Sequence, residues 1–226
     1  MINLLQNSLI EHYNISSPAV LKYEKLGNCS FDLDDTDGFV LGKGCGKASF
    51  DNKGGEVTII GYEDFIRQCK RPQSFARGRK RCDFILCHDD EKGAFVLNEI
   101  TSAYGDESNL ALPIKGKQPY PGGKYEKVVD QFVHSLDTLL SVSKIRSKVL
   151  NYKKRICLMS YKVIPNVGNE IIHKALSSVY SHRDVESLET RGEGAIIKVK
   201  PINDMGFEYR RISHDFSFVT NRSATS

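Results

Sequence analysis

The stretch "RCDFILCHDDEKGAFVLNEITSA", Arg81 to Ala103, holds two short apolar runs, and each carries one carboxylate where a neutral residue would pack more easily. Asp83 opens the first run and Glu99 lies near the end of the second. The polar HDDEKG between them suits a hairpin connection, so the stretch predicts two antiparallel neighbouring strands. Acids at strand ends are most often solvated surface. On adjacent strands they are also the two halves of a metal site, and the order of the surrounding elements decides between these readings.

Upstream of this pair, "YEDFIRQCK" spaces Tyr62, Phe65, Ile66 and Cys69 at helical intervals and stops before Pro72, which predicts one or two turns of helix. Residues 1–13 predict a short opening helix through Ile2, Leu5, Leu9 and Ile10. The segment from Asn28 to Tyr62 alternates β-prone runs with Asp37-Gly38, the glycines at 42, 44 and 46, and Gly54-Gly55, a β-meander pattern. Within it "LGKGCGKASF" matches neither GxGxxG nor GxxxxGK[ST], so a glycine-rich turn is the reading for it and not a phosphate loop.

Downstream, a loop rich in glycine and proline leads to the strongest helical signal in the chain. Tyr125, Val128, Val129, Phe132, Val133, Leu136, Leu139 and Leu140 form one apolar stripe from Lys124 towards Leu150. "RICLMSYKV" then reads as a buried strand, Asn169 to Tyr180 as a helix, and "GAIIKVKPI" with "FEYRRISHDFSFV" as a closing β-hairpin. No internal repeat or low-complexity tract interrupts this order, which argues for a single α/β domain.

Composition limits the function classes. The chain has 226 residues, 40% of them hydrophobic and 27% charged, enough for a proper core. Its formal net charge of +4 permits a polyanionic partner without requiring one. The opening segment lacks a basic start and meets Glu11 and His12 early, unlike a signal peptide or a membrane span. The six cysteines are scattered, as expected of reduced thiols in the cytoplasm. Cys82 and Cys87 flank a strand-like run that would hold them about 15 Å apart, too far for one zinc ion. His88 follows Cys87 directly, so the two point to opposite faces of a strand and make no thiol–base pair. No GxSxG elbow supports serine hydrolysis.

The order helix, acid-bearing strand, acid-bearing strand, long helix, strand resembles the common core of the PD-(D/E)xK nuclease superfamily over roughly residues 62–165. In that family an aspartate opens one core strand and a (D/E)xK triplet ends the next. Asp83 in "RCDFIL" matches the first element and Glu99 in "VLNEIT" the second. The resemblance implies a restriction-endonuclease-like central mixed sheet flanked by helices. Residues 1–61 would add an N-terminal helix and β-meander, and residues 166–226 a C-terminal helix and hairpin.

It further implies a magnesium or manganese ion on Asp83, Glu99 and the carbonyl of Ile100, with Glu63, or its competitor Asp64, joining from the preceding helix. Such an ion binds a phosphate oxygen and generates hydroxide from water near neutral pH. The departure is Thr101, which stands where the family has its lysine. Lys80 and Arg81 before the first strand, or Lys115 and Lys117 in the following loop, are candidates for the missing charge, with Lys80 the choice for the catalytic role. Arg77, Arg79 and Arg81, together with Lys115 and Lys117, form the expected phosphate-contacting set. Two functions follow from the resemblance. One is a metal-dependent nuclease acting on DNA before RNA. The other is a catalytically degenerate relative that binds nucleic acid, a protein partner or a second copy of itself.

Overall fold

A computed structural model describes residues 1–16, 19–35, 39–69, 80–116, 119–164 and 191–221. The expected helix between Asn169 and Tyr180 lies outside them, as do Arg77, Arg79 and Lys117. The chain opens with a π-wound turn, Leu4–Leu9, that continues into α1 (Ile10–His12), with Leu5 and Leu9 buried. Strands β1 (Tyr23–Leu26), β2 (Ser30–Leu33), β3 (Val40–Leu41), β4 (Ala48–Asn52) and β5 (Val57–Gly61) follow, then α2 (Tyr62–Gln68). The quoted stretch forms β6 (Phe84–His88) and β7 (Ala94–Tyr104), which pair antiparallel in the register Phe84↔Asn98 to Cys87↔Phe95. After a 3-10 turn, Glu107–Ala111, come α3 (Gly123–Leu140), α4 (Ser143–Leu150) and β8 (Lys154–Ile164). The chain then forms β9 (Ala195–Ile197), α5 (Lys200–Asp204), β10 (Glu208–Ser213) and β11 (Ser217–Asn221).

Two sheets result. The larger has the order β1-β5-β6-β7-β8-β10-β9, and the smaller β11-β4-β2-β3. In the larger sheet β7, β8 and β10 are mutually parallel, and the other neighbours pair antiparallel. It is therefore a mixed α/β sheet. β6 is buried along its whole length because both its faces are covered, which accounts for its unbroken apolar run.

One face carries Ile85, Cys87, Phe95, Leu97, Cys157 and Met159 against Val128, Phe132, Leu136 and Leu139 of α3. The opposite face carries Phe84, Leu86, Val96, Ile100 and Leu158 against Phe31, Leu33, Phe50 and Phe218 of the smaller sheet. Helices, large sheet and small sheet thus make three layers. The alternation along β7 decides which layer each residue meets: odd-numbered residues face α3 and even-numbered ones face the small sheet.

Three expectations change. The N-terminal meander is split: β1 joins the large sheet beside β5, while β2, β3 and β4 build the small one. The closing hairpin is split too. β9 and β10 do pair antiparallel, but α5 lies between them, and β11 crosses to pair in parallel with β4. The long helix breaks at Val142, whose backbone is extended (ψ 110°), and Ser141 Oγ donates back to Asp137 O at 2.6 Å. The buried Val142 lets α4 turn and pack its own Ile145 and Val149 into the same core.

Candidate functional site

The β6–β7 register runs out at Phe84↔Asn98. One step further along the same register sets Asp83 opposite Glu99, and two steps further sets Cys82 opposite Ile100. The ladder does not continue there. Cys82 N donates to Ser135 Oγ of α3 (3.0 Å), and Ile100 N donates to Asp83 Oδ2 (2.7 Å). Because Ile100 N points towards β6, the Ile100 carbonyl leaves β7 on that same edge, beside Asp83. Asp83 and Glu99 then form a position of the kind that exchanges no backbone bonds, where facing side chains stand closest. Both project to the α3 side of the sheet.

Burial makes this pair unusual. Glu99 is 3% exposed, and its Oε1 accepts from Gln131 Nε2 at 2.7 Å. Its Oε2 is buried with no hydrogen-bond partner among the described residues, and so is Gln131 Oε1. Asp83 is half-buried. Burial pushes the Asp83 carboxyl up to about 8, and the charge of Glu63 adds to the rise while the Ile100 amide opposes it. Burial, then Asp83, push Glu99 well above the ordinary glutamate range, with Lys127 and Gln131 opposing. The Asp83 charge therefore makes Glu99 harder to ionise.

α2 places Glu63 at the edge of this pair. Tyr62 N and Glu63 N both donate to the Asp83 carbonyl, at 2.8 and 3.2 Å, which sets the first turn of α2 against the start of β6. Asp64 pairs with Arg67 on the outer side of the helix. Burial raises Glu63, while Arg67, Lys127 and Lys80 lower it. Among the described residues no group of three or more His, Cys, Asp or Glu side chains is arranged to hold a metal. Glu63 thus adds charge to the pair without completing a three-acid cage.

The cations fall differently from the sequence expectation. Arg81, expected at the lip of the site to meet phosphate, is 1% exposed. Its Nη1 donates to Lys80 O (3.1 Å), its carbonyl accepts from Gln131 Nε2 (2.9 Å), and its charge offsets part of the rise that burial imposes on the Tyr62 phenol. A guanidinium held there is a structural part of the β6 entrance and does not serve as a surface phosphate contact. Lys80 is exposed, and desolvation with the neighbouring Lys127 lowers its pKa, against Glu63 and Glu99. Lys115 is exposed in the loop bridged by Ile114 and Tyr120.

Two residues that sequence reasoning missed come from α3. Gln131 joins Glu99 to the backbone before β6, and Lys127 acts electrostatically on Asp83, Glu99, Glu63 and Lys80 at once. Their signal was present. Lys124, Lys127, Gln131 and Ser135 follow three- and four-residue spacing, a polar row beside the apolar stripe.

Chemically, two adjacent carboxylates with a nearby main-chain carbonyl suit magnesium or manganese, which keep several waters, and do not suit a closed zinc site. The fit rests on the orphaned, buried Glu99 Oε2. The glycine-rich loop offers no competing phosphate site, because Gly44 N and Gly46 N donate to Asp32 Oδ2 at 2.6 and 3.0 Å. Compared with protein-family models, with curated proteins and with solved structures, the chain matches none. No helix among the described residues is long and apolar enough to cross a membrane.

Proposed function

We propose that this chain is a metal-dependent nuclease of the PD-(D/E)xK kind, acting on DNA before RNA, with Asp83 and Glu99 as the metal-holding acids. The observation that supports this reading is the Glu99 carboxylate, whose Oε2 is buried without a partner directly beside Asp83. A buried acid left in that state costs stability unless something compensates its charge, and strongly perturbed carboxylates of this kind cluster at functional sites. The element order α2, β6, β7, α3, β8, with Asp83 at the start of one strand and Glu99 on its neighbour, agrees with a restriction-endonuclease-like core.

When bound, a magnesium or manganese ion supplies Lewis-acid activation of water and of the phosphate. The chain's own residues do the rest. Asp83 and Glu99 would hold the ion, with the Ile100 carbonyl as a further oxygen on the same edge. Gln131 fixes Glu99 Oε1, so only Oε2 is left to face the site. Hydrolysis forms one bond from the water oxygen to phosphorus and breaks the bond from phosphorus to the leaving sugar oxygen. One water proton ends on that oxygen, so the reaction balances without any further reactant.

The test is cleavage of circular duplex DNA, single-stranded DNA and RNA with magnesium or manganese. Wild type should cleave at least one of them, and the Asp83→Asn and Glu99→Gln variants should lose more than about 100-fold of the rate, the scale of removing a principal charge-stabilising group. Metal binding without cleavage of any substrate would favour the degenerate, nucleic-acid-binding or assembly alternative, for which Thr101 in the lysine position is the specific observation.

A further inference from the structure

The nuclease reading leaves one chemical gap, a positive charge beside the attacking water, because Thr101 occupies the position of the family's lysine. The packing of α3 on β7 identifies what fills it. Gln131 Nε2 meets Glu99 Oε1, and Lys124 Nζ donates to the Ser102 carbonyl. The helix and strand therefore run in opposite senses past each other, with residue 131 over residue 99 and residue 124 over residue 102.

The two spans match in length. Seven helical residues rise about 10.5 Å, and three strand residues about 10 Å. Lys127 stands four residues from Gln131, about 6 Å along the helix, which is about two strand residues past Glu99. That point is Thr101. Residues 124, 127 and 131 also lie on one side of the helix, along the edge of the apolar stripe that packs on the sheet.

We infer that Lys127, presented from α3 over Thr101, is the cation of the site and does from the helix what the family's lysine does from the strand. The assignment rests on the nuclease reading above. Lys127 is half-buried, and its charge acts on Asp83, Glu99 and Glu63 together, as the position requires. The other lysines are placed less well. The Lys124 ammonium is engaged by the Ser102 carbonyl, and Lys80 is exposed before the start of β6. A small Thr101 is then what the arrangement needs, since a second long cation at that point would compete with Lys127 for the same space and repel it. In the reaction the Lys127 ammonium donates to the attacking water and offsets the charge that builds on the phosphate oxygens.

Two measurements on Lys127→Met, a substitution that keeps the helix-forming straight chain, test this. The first is manganese affinity, from the paramagnetic resonance signal of the free ion. Removing a single positive charge that acts on the metal-holding acids should tighten binding of a divalent ion about three- to tenfold after screening. The second is cleavage rate, which should fall more than about 100-fold. Adding Thr101→Lys to Lys127→Met should weaken manganese binding again and recover a substantial part of the rate. A purely structural role for Lys127 would predict looser metal binding and no rescue. If wild type binds manganese and Lys127→Met changes neither affinity nor rate, the assignment of Lys127 is wrong and the two-acid site stands. If wild type binds no manganese, the site reading itself fails, and the role of Lys127 fails with it.

Discussion

Asp83 and Glu99 stand opposite each other one step past the end of the β6–β7 ladder, and the Ile100 amide is drawn out of that ladder onto Asp83 Oδ2. The local structure is thus arranged around a carboxylate and not around continued strand pairing. Glu99 lies at 3% exposure beside it.

The first prediction follows from the metal-free acid pair. The folded Asp83 carboxyl holds its proton up to about 8, whereas in the unfolded chain it loses it near 3.9. Between those values the unfolded state binds fewer protons, so stability falls as pH rises towards 8. Denaturant unfolding in a chelator at pH 6.5 and 8.5 should show lower stability at the higher pH. Asp83→Asn should flatten that difference and be the more stable protein at pH 8.5. Equal slopes for the two proteins would mean that Asp83 is ionised throughout.

His88 gives the opposite sign at lower pH. Ala94 N donates to its Nδ1 (3.1 Å) and its Nε2 lies 3.1 Å from Asn52 Oδ1, an arrangement that suits the neutral ring. Burial lowers its pKa. The unfolded histidine takes a proton near 6.5 and the folded one does so only at lower pH, so this contribution to stability is present above 6.5 and is lost as pH falls. His88→Gln should reduce the loss between pH 6.5 and 5. An unchanged slope would place the sensitivity elsewhere.

Gln131 is predicted to matter for both stability and metal binding. Its Nε2 donates to Glu99 Oε1 and to the Arg81 carbonyl, at 2.7 and 2.9 Å. Gln131→Leu should cost about 1–3 kcal/mol in denaturant unfolding, because buried acceptors lose their donor. It should also weaken manganese binding by freeing the Glu99 carboxylate to rotate. A variant as stable as wild type with unaltered affinity would remove Gln131 from the site.

The small sheet has its own test at Asp32. That buried carboxylate accepts from Gly44 N, Gly46 N and Ser49 Oγ, and a Cβ on Gly46 would lie 2.6 Å from Asp32 Cβ. Asp32→Ala should cost about 3 kcal/mol, and Gly46→Ala should be destabilising by steric overlap. Neither should change metal affinity, which separates this loop from the acid pair.

What could be read from the sequence was local. The alternation and turn signals around Asp83 and Glu99 fixed two neighbouring strands, and period-two geometry then placed both acids on one face. The α3 stripe named its core residues because Val128, Phe132, Leu136 and Leu139 repeat at helical spacing. The partners of short strands were not legible. β1 and β2 are four residues each, and nothing in either sequence says that one joins β5 and the other β4. Arg81 misled because a basic run reads as exposed, whereas its neighbours Cys82 and Tyr62 draw it into the core. For Lys127 and Gln131 the spacing showed a shared polar row but not what it meets. That Gln131 reaches Glu99 depends on the crossing of a helix and a strand separated by a long loop, which residue spacing within the helix does not encode.

The central claim, that Asp83 and Glu99 share a divalent ion, is tested most directly by thermal unfolding of the whole chain against manganese. A ligand that binds only the folded state raises the midpoint with concentration. Wild type should shift upward through the millimolar range, Asp83→Asn and Glu99→Gln should lose most of that shift, and Asp90→Asn, in the β6–β7 turn, should keep it. A wild type whose midpoint does not move at millimolar manganese would contradict the account.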